Sequence, residues 1–86
     1  MRVRIPSQLR SYTRGEAAVE ADGAALDEVT RSLDKMFPKI RFRIIDEQER
    51  IRKHIRIFVN LEETRTLDQA LKAGDEITIV GALSGG

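Results

Sequence analysis

One amphipathic helix, predicted over residues 25 to 36, constrains the fold more than any other feature of the sequence. Its apolar side chains recur at steps of three and four residues, which puts them on a single face of a helix. They are Leu26, Val29, Leu33, Met36 and Phe37. Pro38 forbids continuation of the helix. Since a helix with one apolar face has to pack against another layer, the rest of the chain must supply that layer.

Two strands are predicted before the helix. Val3 and Ile5 alternate with arginines, which is the pattern of a strand with one buried face, and Pro6 ends this strand. Residues 16–21 repeat the alternation. The segment between the two strands is too long for a two-residue turn. We therefore predict an antiparallel hairpin with a long loop, in which Leu9 points inward.

Three more strands are predicted after the helix. They cover residues 55–59, 63–65 and 76–80, and the first and last of them place branched apolar residues at every second position. Residues 66–71 predict one helical turn capped by Thr66. A turn around Gly74 then leads into the final strand.

This order of elements predicts an α+β domain of two layers, with the helix packed across one face of a mixed four- to five-stranded sheet. If the first and last strands are central neighbours, they lie parallel, and the helix supplies the crossover that parallel pairing requires. This is the β-grasp, or ubiquitin-like, arrangement. We expect a β-grasp domain over residues 1–80, followed by a flexible C-terminal Gly-Gly tail over residues 81–86.

The tail holds the candidate functional residues, which are small apart from one leucine. They are Gly81, Ala82, Leu83, Ser84, Gly85 and Gly86. Because glycine has no β-carbon, the Gly85–Gly86 end can thread a narrow channel. The Gly86 carboxylate, ionised at neutral pH, is the one group with an expected reactive role. It becomes an electrophile only when activated, for example by adenylation, and a partner would have to supply the ATP site and the magnesium.

Composition argues against several other functions. The chain has no cysteine and a single histidine, His54, so it lacks a thiol nucleophile and cannot build a His/Cys zinc site. Gly23 and Gly74 are isolated turn glycines rather than a phosphate-binding loop. We expect a non-catalytic protein with no metal and no bound cofactor. The sequence shows neither a membrane-spanning apolar run nor a signal region, which predicts a cytoplasmic protein, with a monomer as the default.

The formal net charge of +1 argues against a dedicated nucleic-acid binder. Basic residues nevertheless outnumber acidic ones in residues 39–56. Such a run is typical of a solvated face, and docking of an acidic partner surface or of nucleic acid is the alternative. A nucleic-acid binder would bind with a steep salt dependence. The cations in question are Arg41, Arg43, Arg50, Arg52 and Lys53.

Several segments together resemble the ubiquitin-like sulfur carriers of the MoaD/ThiS family over essentially the whole chain. The features that are similar to the family as a whole are the strand order, the Gly74-Asp75-Glu76-Ile77 turn, the Phe58-Val59-Asn60 segment and the final Gly85-Gly86. Other segments are similar to the cysteine-biosynthesis branch of that family. They are Val3-Arg4-Ile5-Pro6 with Leu9-Arg10, Thr13-Arg14-Gly15, residues 52–60 and the long loop from Phe42 to Arg52.

The resemblance implies a mechanism and a set of partners. An E1-like adenylyltransferase/sulfurtransferase would adenylate Gly86 and convert it to a thiocarboxylate. In the cysteine branch, a pyridoxal-phosphate synthase would accept the sulfur and a zinc-dependent metalloprotease would release cysteine. Other sulfur carriers serve molybdopterin, thiamin, tRNA thiolation or natural products. By analogy, the sheet face away from the helix would contact the activating enzyme.

The tail departs from the family pattern, in which we expect a proline near position 81 and a Val-Ala pair before the glycines. This sequence has Gly81, Leu83 and Ser84 in that segment instead. Leu83 is larger than valine and would anchor in a partner pocket. Two other readings stay open: a protein modifier conjugated through Gly86, and a plain β-grasp interaction module with an inert tail.

Overall fold

A five-stranded mixed sheet, with the main helix packed on one face, forms the domain. The computed structural model describes residues 1–81. Its strands are β1 (Arg2–Arg4), β2 (Ala18–Glu20), β3 (Ile55–Val59), β4 (Glu62–Thr64) and β5 (Glu76–Gly81). Its helices are α1 (Leu26–Met36), α2 (Ile40–Ile44) and a 3₁₀ turn at Ser7–Leu9. The strand order is β2-β1-β5-β3-β4.

The final strand, β5, lies at the centre of the sheet. It pairs parallel with β1, where Val3 is opposite Ile77, and antiparallel with β3, where Ile57 is opposite Ile79. All four of these side chains are buried. β2 and β4 complete the sheet as antiparallel edge strands. The predicted β-grasp topology, with parallel first and last strands, is therefore confirmed.

Helix α1 follows its predicted bounds to within one residue, and its apolar stripe is buried through Leu26, Val29 and Leu33. Met36, the next residue of the stripe, is 43% exposed. The carboxylate of Asp34 accepts hydrogen bonds from the backbone amides of residues 39 and 41, at 3.0 and 3.1 Å, and so starts α2 at this point. The core here is filled from α2, by Ile40 and Ile44, which leaves Met36 at the surface.

The predicted helical turn over residues 66–71 is wrong, because the backbone of this segment serves the start of α1. Ala25, at the N-cap position, makes no side-chain capping hydrogen bond. The backbone amides of Leu26 and Asp27 instead donate to the carbonyls of Gln69 and Leu67, at 3.0 and 2.8 Å. Residues 67 and 68 form a turn rather than a helix, and the carbonyls of this segment satisfy the helix end from outside.

A network of charged side chains ties the long loop before β3 to the two helices. Arg41 lies 2.7 Å from the carboxylate of Asp27 and 3.0 Å from that of Glu49. Arg31 contacts the same two carboxylates, at 3.0 and 3.1 Å. Hydrogen bonds from Arg31, and then from Arg41, hold the pKa of Asp27 below its usual value.

We expect the substitution Asp27→Asn to destabilise the fold by about 1 kcal/mol at pH 7, since the lost hydrogen bonds join charged but partly exposed groups. A lowered pKa means that the carboxylate contributes stability above the unfolded-state value near 3.8, and that this contribution is lost as the pH falls through the folded-state pKa. Urea unfolding at pH 7 and pH 3 measures the effect. The difference between wild type and variant should shrink at pH 3, whereas Asp68→Asn, on an exposed side chain, should have little effect at either pH. An equal loss at both pH values would contradict the assignment.

Candidate functional site

The site begins where β5 ends. The sequence predicted an end at Val80, whereas the strand extends to Gly81, which pairs with Ile55 at the start of β3. Gly81, expected to be the first residue of the flexible tail, thus belongs to the sheet. The predictions for Ala82, Leu83, Ser84, Gly85 and Gly86 lie outside the described residues.

A side chain from the other end of the sequence holds the end of β5. The Nε2 of Gln8 donates to the carbonyl oxygen of Gly81, at 3.0 Å. A β-carbon at position 81 would lie 2.9 Å from the same nitrogen, closer than side chains tolerate. Any other residue here would therefore displace the flexible end of the Gln8 side chain from its hydrogen bond with this carbonyl. Sequence reasoning missed this contact because Gln8 lies in a polar loop 73 residues away, with no periodic signal.

A shallow groove of about 360 Å³ runs beside this contact. It is lined by the segment that follows β1 and by the last four residues of β5, among them Pro6, Gln8, Arg10, Thr78, Val80 and Gly81. The chain after Gly81 therefore starts next to a groove built from both ends of the sequence.

The open face of the sheet, away from α1, mixes paired charges with apolar side chains. Arg4 and Phe58 flank Thr78 across three neighbouring strands, on the face opposite the buried Val3 and Ile77. Arg4 lies 3.3 Å from the carboxylate of Glu76. Phe58 is half-buried. This face therefore presents an ion pair and a half-buried aromatic ring beside the central strand.

The turn that feeds β5 is fixed by side chains as well as by glycine. Gly74 has a φ of +91°, in the left-handed region. Asp75 accepts from the backbone amide of Lys72 at 2.8 Å and from the side-chain amide of Asn60 at 3.1 Å. These two interactions, the backbone amide first, hold the pKa of Asp75 below its usual value. The side-chain oxygen of Asn60 in turn accepts from the backbone amide of Glu76, at 3.0 Å. The start of β5 is thereby set.

Few other side chains in residues 1–81 are suited to catalysis or metal binding. His54 is exposed in the turn before β3. Within this part of the chain, no group of three or more His, Cys, Asp or Glu side chains could hold a metal ion.

Among the same residues, no helix combines the length and apolarity that crossing a membrane requires.

We expect Gln8→Glu to loosen the end of β5, since glutamate has the same shape as glutamine but, when ionised, cannot donate to the Gly81 carbonyl. Hydrogen exchange at the Ile55–Gly81 end of the ladder should become faster by about threefold to tenfold, corresponding to a net hydrogen bond of about 1 kcal/mol. Exchange at the Val3–Ile77 pair should not change. Ser7→Ala is the matched control in the same turn. Unchanged exchange at Ile55 and Gly81 in Gln8→Glu would show that the contact does not hold the strand end.

Comparison with known proteins places the chain in a family. The model of the ThiS family matches residues 3–86. The sulfur carrier protein CysO of Mycobacterium tuberculosis is 34% identical over 89 residues, covering 98% of this chain and 96% of the relative.

Solved structures give the same result. The BexX/CysO complex of Amycolatopsis orientalis contains a chain that superposes with a TM-score of 0.91 at 35% identity, covering 99% of this chain and 98% of that one. SAMP1 of Haloferax volcanii superposes with a TM-score of 0.80 at 26% identity, covering 100% and 98%. The family match and the near-complete coverage agree with the β-grasp topology and its central last strand. The chain therefore belongs to the ThiS family, and it is similar along nearly its whole length to the CysO sulfur carriers.

Proposed function

We propose that this protein is a sulfur carrier whose Gly86 carboxylate is converted to a thiocarboxylate and donates its sulfur in cysteine biosynthesis. The observation that carries the proposal is the family match through Gly86, together with 34% identity to CysO over 98% of the chain. The chain has no cysteine, which agrees with sulfur carried on a carboxyl group rather than as a persulfide.

The proposed chemistry has two steps, both catalysed by an E1-like partner. A carboxylate oxygen of Gly86 attacks the α-phosphate of ATP, and pyrophosphate leaves with magnesium assistance. A sulfide sulfur then attacks the acyl carbon, and AMP leaves with the electron pair of the acyl C–O bond, which gives the thiocarboxylate. The carrier contributes the carboxylate and its presentation, while the partner supplies the nucleotide site, the magnesium and the sulfur donor.

The geometry of β5 supports this division of roles. Five residues beyond Gly81 reach at most about 17 Å, because an extended chain spans about 3.4 Å per residue. That length suffices to place Gly86 inside a partner while the sheet stays outside. The absence of a β-carbon at Gly85 and Gly86 then suits a narrow channel.

The proposed partners follow the same reasoning. CysO of Amycolatopsis orientalis has been crystallised in complex with BexX, which supports the proposal that this chain also acts by docking onto partner proteins. We expect an E1-like adenylyltransferase/sulfurtransferase, a sulfur-accepting synthase of the pyridoxal-phosphate type and a zinc metalloprotease that releases cysteine.

A second candidate function is protein modification through Gly86. The specific observation in its favour is the likeness to SAMP1, a small archaeal modifier protein, over the whole chain. Both functions begin with adenylation of Gly86, and they differ in whether sulfur or a lysine amine attacks the acyl group.

Intact mass spectrometry of the protein isolated from its native cells tests the choice. We expect a species in which one oxygen is replaced by sulfur, and we expect alkylation by iodoacetamide to label it at the C-terminus. Deletion of Gly86 should abolish this species, whereas Ser84→Ala should retain it. Isopeptide adducts in the absence of any sulfur-containing form would favour the modifier.

The narrow-channel argument predicts a strong effect of Gly85→Val on activation. ATP–pyrophosphate exchange by the activating enzyme should fall by about 100-fold in kcat/KM, since a small misplacement of the reacting group costs that much. Ser84→Ala, which removes one hydroxyl, is the control and should lose less than about tenfold, since a neutral hydrogen bond contributes about 1 kcal/mol. Equal exchange in Gly85→Val and wild type would contradict the channel.

A further inference from the structure

Three arginines lie at the end of the sheet from which the chain leaves β5. Arg10 follows β1 and lines the groove beside Gly81. Arg52 precedes β3, and its carbonyl accepts the backbone amide of Ile55, the residue that pairs with Gly81. Arg43, on α2, contacts Tyr12 in the loop between β1 and β2. We call Arg10, Arg43 and Arg52 the arginine collar.

Each guanidinium of the collar is anchored through its Nε to an uncharged oxygen. Arg10 donates to the carbonyl of Ile5 at 3.2 Å, and Arg52 donates to the carbonyl of Phe42 at 2.7 Å. Arg43 donates to the Tyr12 hydroxyl at 2.6 Å. Arg52 also stacks on the Phe42 ring, 4.6 Å from its centroid. The side chains are thus held in place while their terminal nitrogens keep further hydrogen-bonding capacity.

The collar arginines differ from Arg4, Arg31 and Arg41 in their charge environment. Among residues 1–81, no carboxylate lies within 4.0 Å of a collar guanidinium. By contrast, Arg4 pairs with Glu76, and Arg31 and Arg41 share Asp27 and Glu49. An oriented guanidinium without a counter-charge is prepared to bind a carboxylate, because less side-chain entropy is lost on docking.

Charge is also distributed unevenly along the sheet. Carboxylates gather at the opposite end, where β2 ends, β4 begins and β5 begins. They are Glu20, Asp22, Glu62, Asp75 and Glu76. At the exit end, Glu16 is the acidic residue of the loop between β1 and β2, and Lys53 stands beside Arg52. Although the net charge is only +1, positive charge is therefore concentrated around the point where the tail begins.

We propose that the arginine collar docks onto carboxylates at the rim of the channel through which the activating enzyme admits residues 82–86. This inference rests on the proposed function and adds the chemistry of the partner surface. The rim carboxylates bind the terminal nitrogens of the collar arginines, a geometry for which the planar guanidinium is suited. The collar thereby sets the position and orientation at which the tail enters.

The collar acts at the rim and not on the reacting group. The carboxylate of Gly86 lies up to about 17 Å from Gly81 when the chain is extended, and the Debye length at physiological salt is about 8 Å. The collar therefore contributes to association and leaves the chemical step unaffected. A nucleic-acid partner fits less well, because the acidic end of the same small domain would repel it.

The test replaces each collar arginine by glutamine and measures ATP–pyrophosphate exchange by the enzyme that activates the wild-type carrier. At about 50 mM salt, KM for the carrier should rise about threefold to fivefold per arginine, with kcat unchanged, and the triple variant should multiply these effects. At about 500 mM salt, wild type and variants should converge. Lys35→Gln and Lys72→Gln remove exposed cations elsewhere and should leave KM unchanged. Circular dichroism checks that each variant is folded.

Lys53→Glu keeps the proposal testable if an arginine variant fails to fold, since Lys53 is exposed. Its charge reversal beside Arg52 should raise KM with the same salt dependence.

Normal exchange with an unchanged KM in the folded triple variant, or in Lys53→Glu, would overturn the proposed docking role of the collar while leaving the proposed function intact. A wild-type carrier that no E1-like enzyme activates would overturn the proposed function, and the collar with it. Binding of a fluorescent DNA duplex at physiological salt that depends on the three arginines would assign them to nucleic-acid binding. It would overturn the proposed contact with rim carboxylates.

Discussion

The parallel pairing of β1 with β5 is the interaction on which the rest of the structure depends. Parallel strands cannot be joined by a tight turn, so the chain between them has to cross one face of the sheet. Here that connection includes β2, both α-helices, β3 and β4, together with the loop network. Because Val3 faces Ile77 and Ile57 faces Ile79, the last strand is clamped between two neighbours. Its end can leave the domain only beside the start of β3 and the segment after β1.

The crossover helix and the last strand also depend on each other locally. The free amides at the start of α1 are satisfied by carbonyls of residues 67 and 69, just before the turn into β5. Buried or half-buried helix ends need such partners, since an unsatisfied amide costs free energy. The segment that satisfies the helix is thus the one that positions the turn at Gly74 and Asp75. The start of β5 is therefore linked to the same backbone hydrogen bonds that begin the helix.

Much of this fold could be predicted from local periodicity. The alternation around Ile77 and Ile79 predicted a strand with one buried face, and the stripe from Leu26 to Leu33 predicted the helix. What could not be predicted depended on distant partners. Residues 66–71 have the local pattern of a capped helical turn, but their carbonyls are used by α1. Gln8, Arg10 and Arg43 lie in polar or basic segments with no period, and each acquires its place from a contact made across the fold.

The glycines at the end of the chain are therefore explained by different constraints. At Gly81 the constraint is internal, because any β-carbon would meet the Gln8 amide within 3.1 Å. Gln8 could move away from such a β-carbon, but its hydrogen bond to the Gly81 carbonyl would then be displaced. At Gly85 and Gly86 no such contact within residues 1–81 is needed to explain the choice of residue, and the proposed constraint is the channel of a partner. Glycine at position 81 thus accommodates a contact within the domain, whereas the proposed role of Gly85 and Gly86 is to fit the channel of a partner.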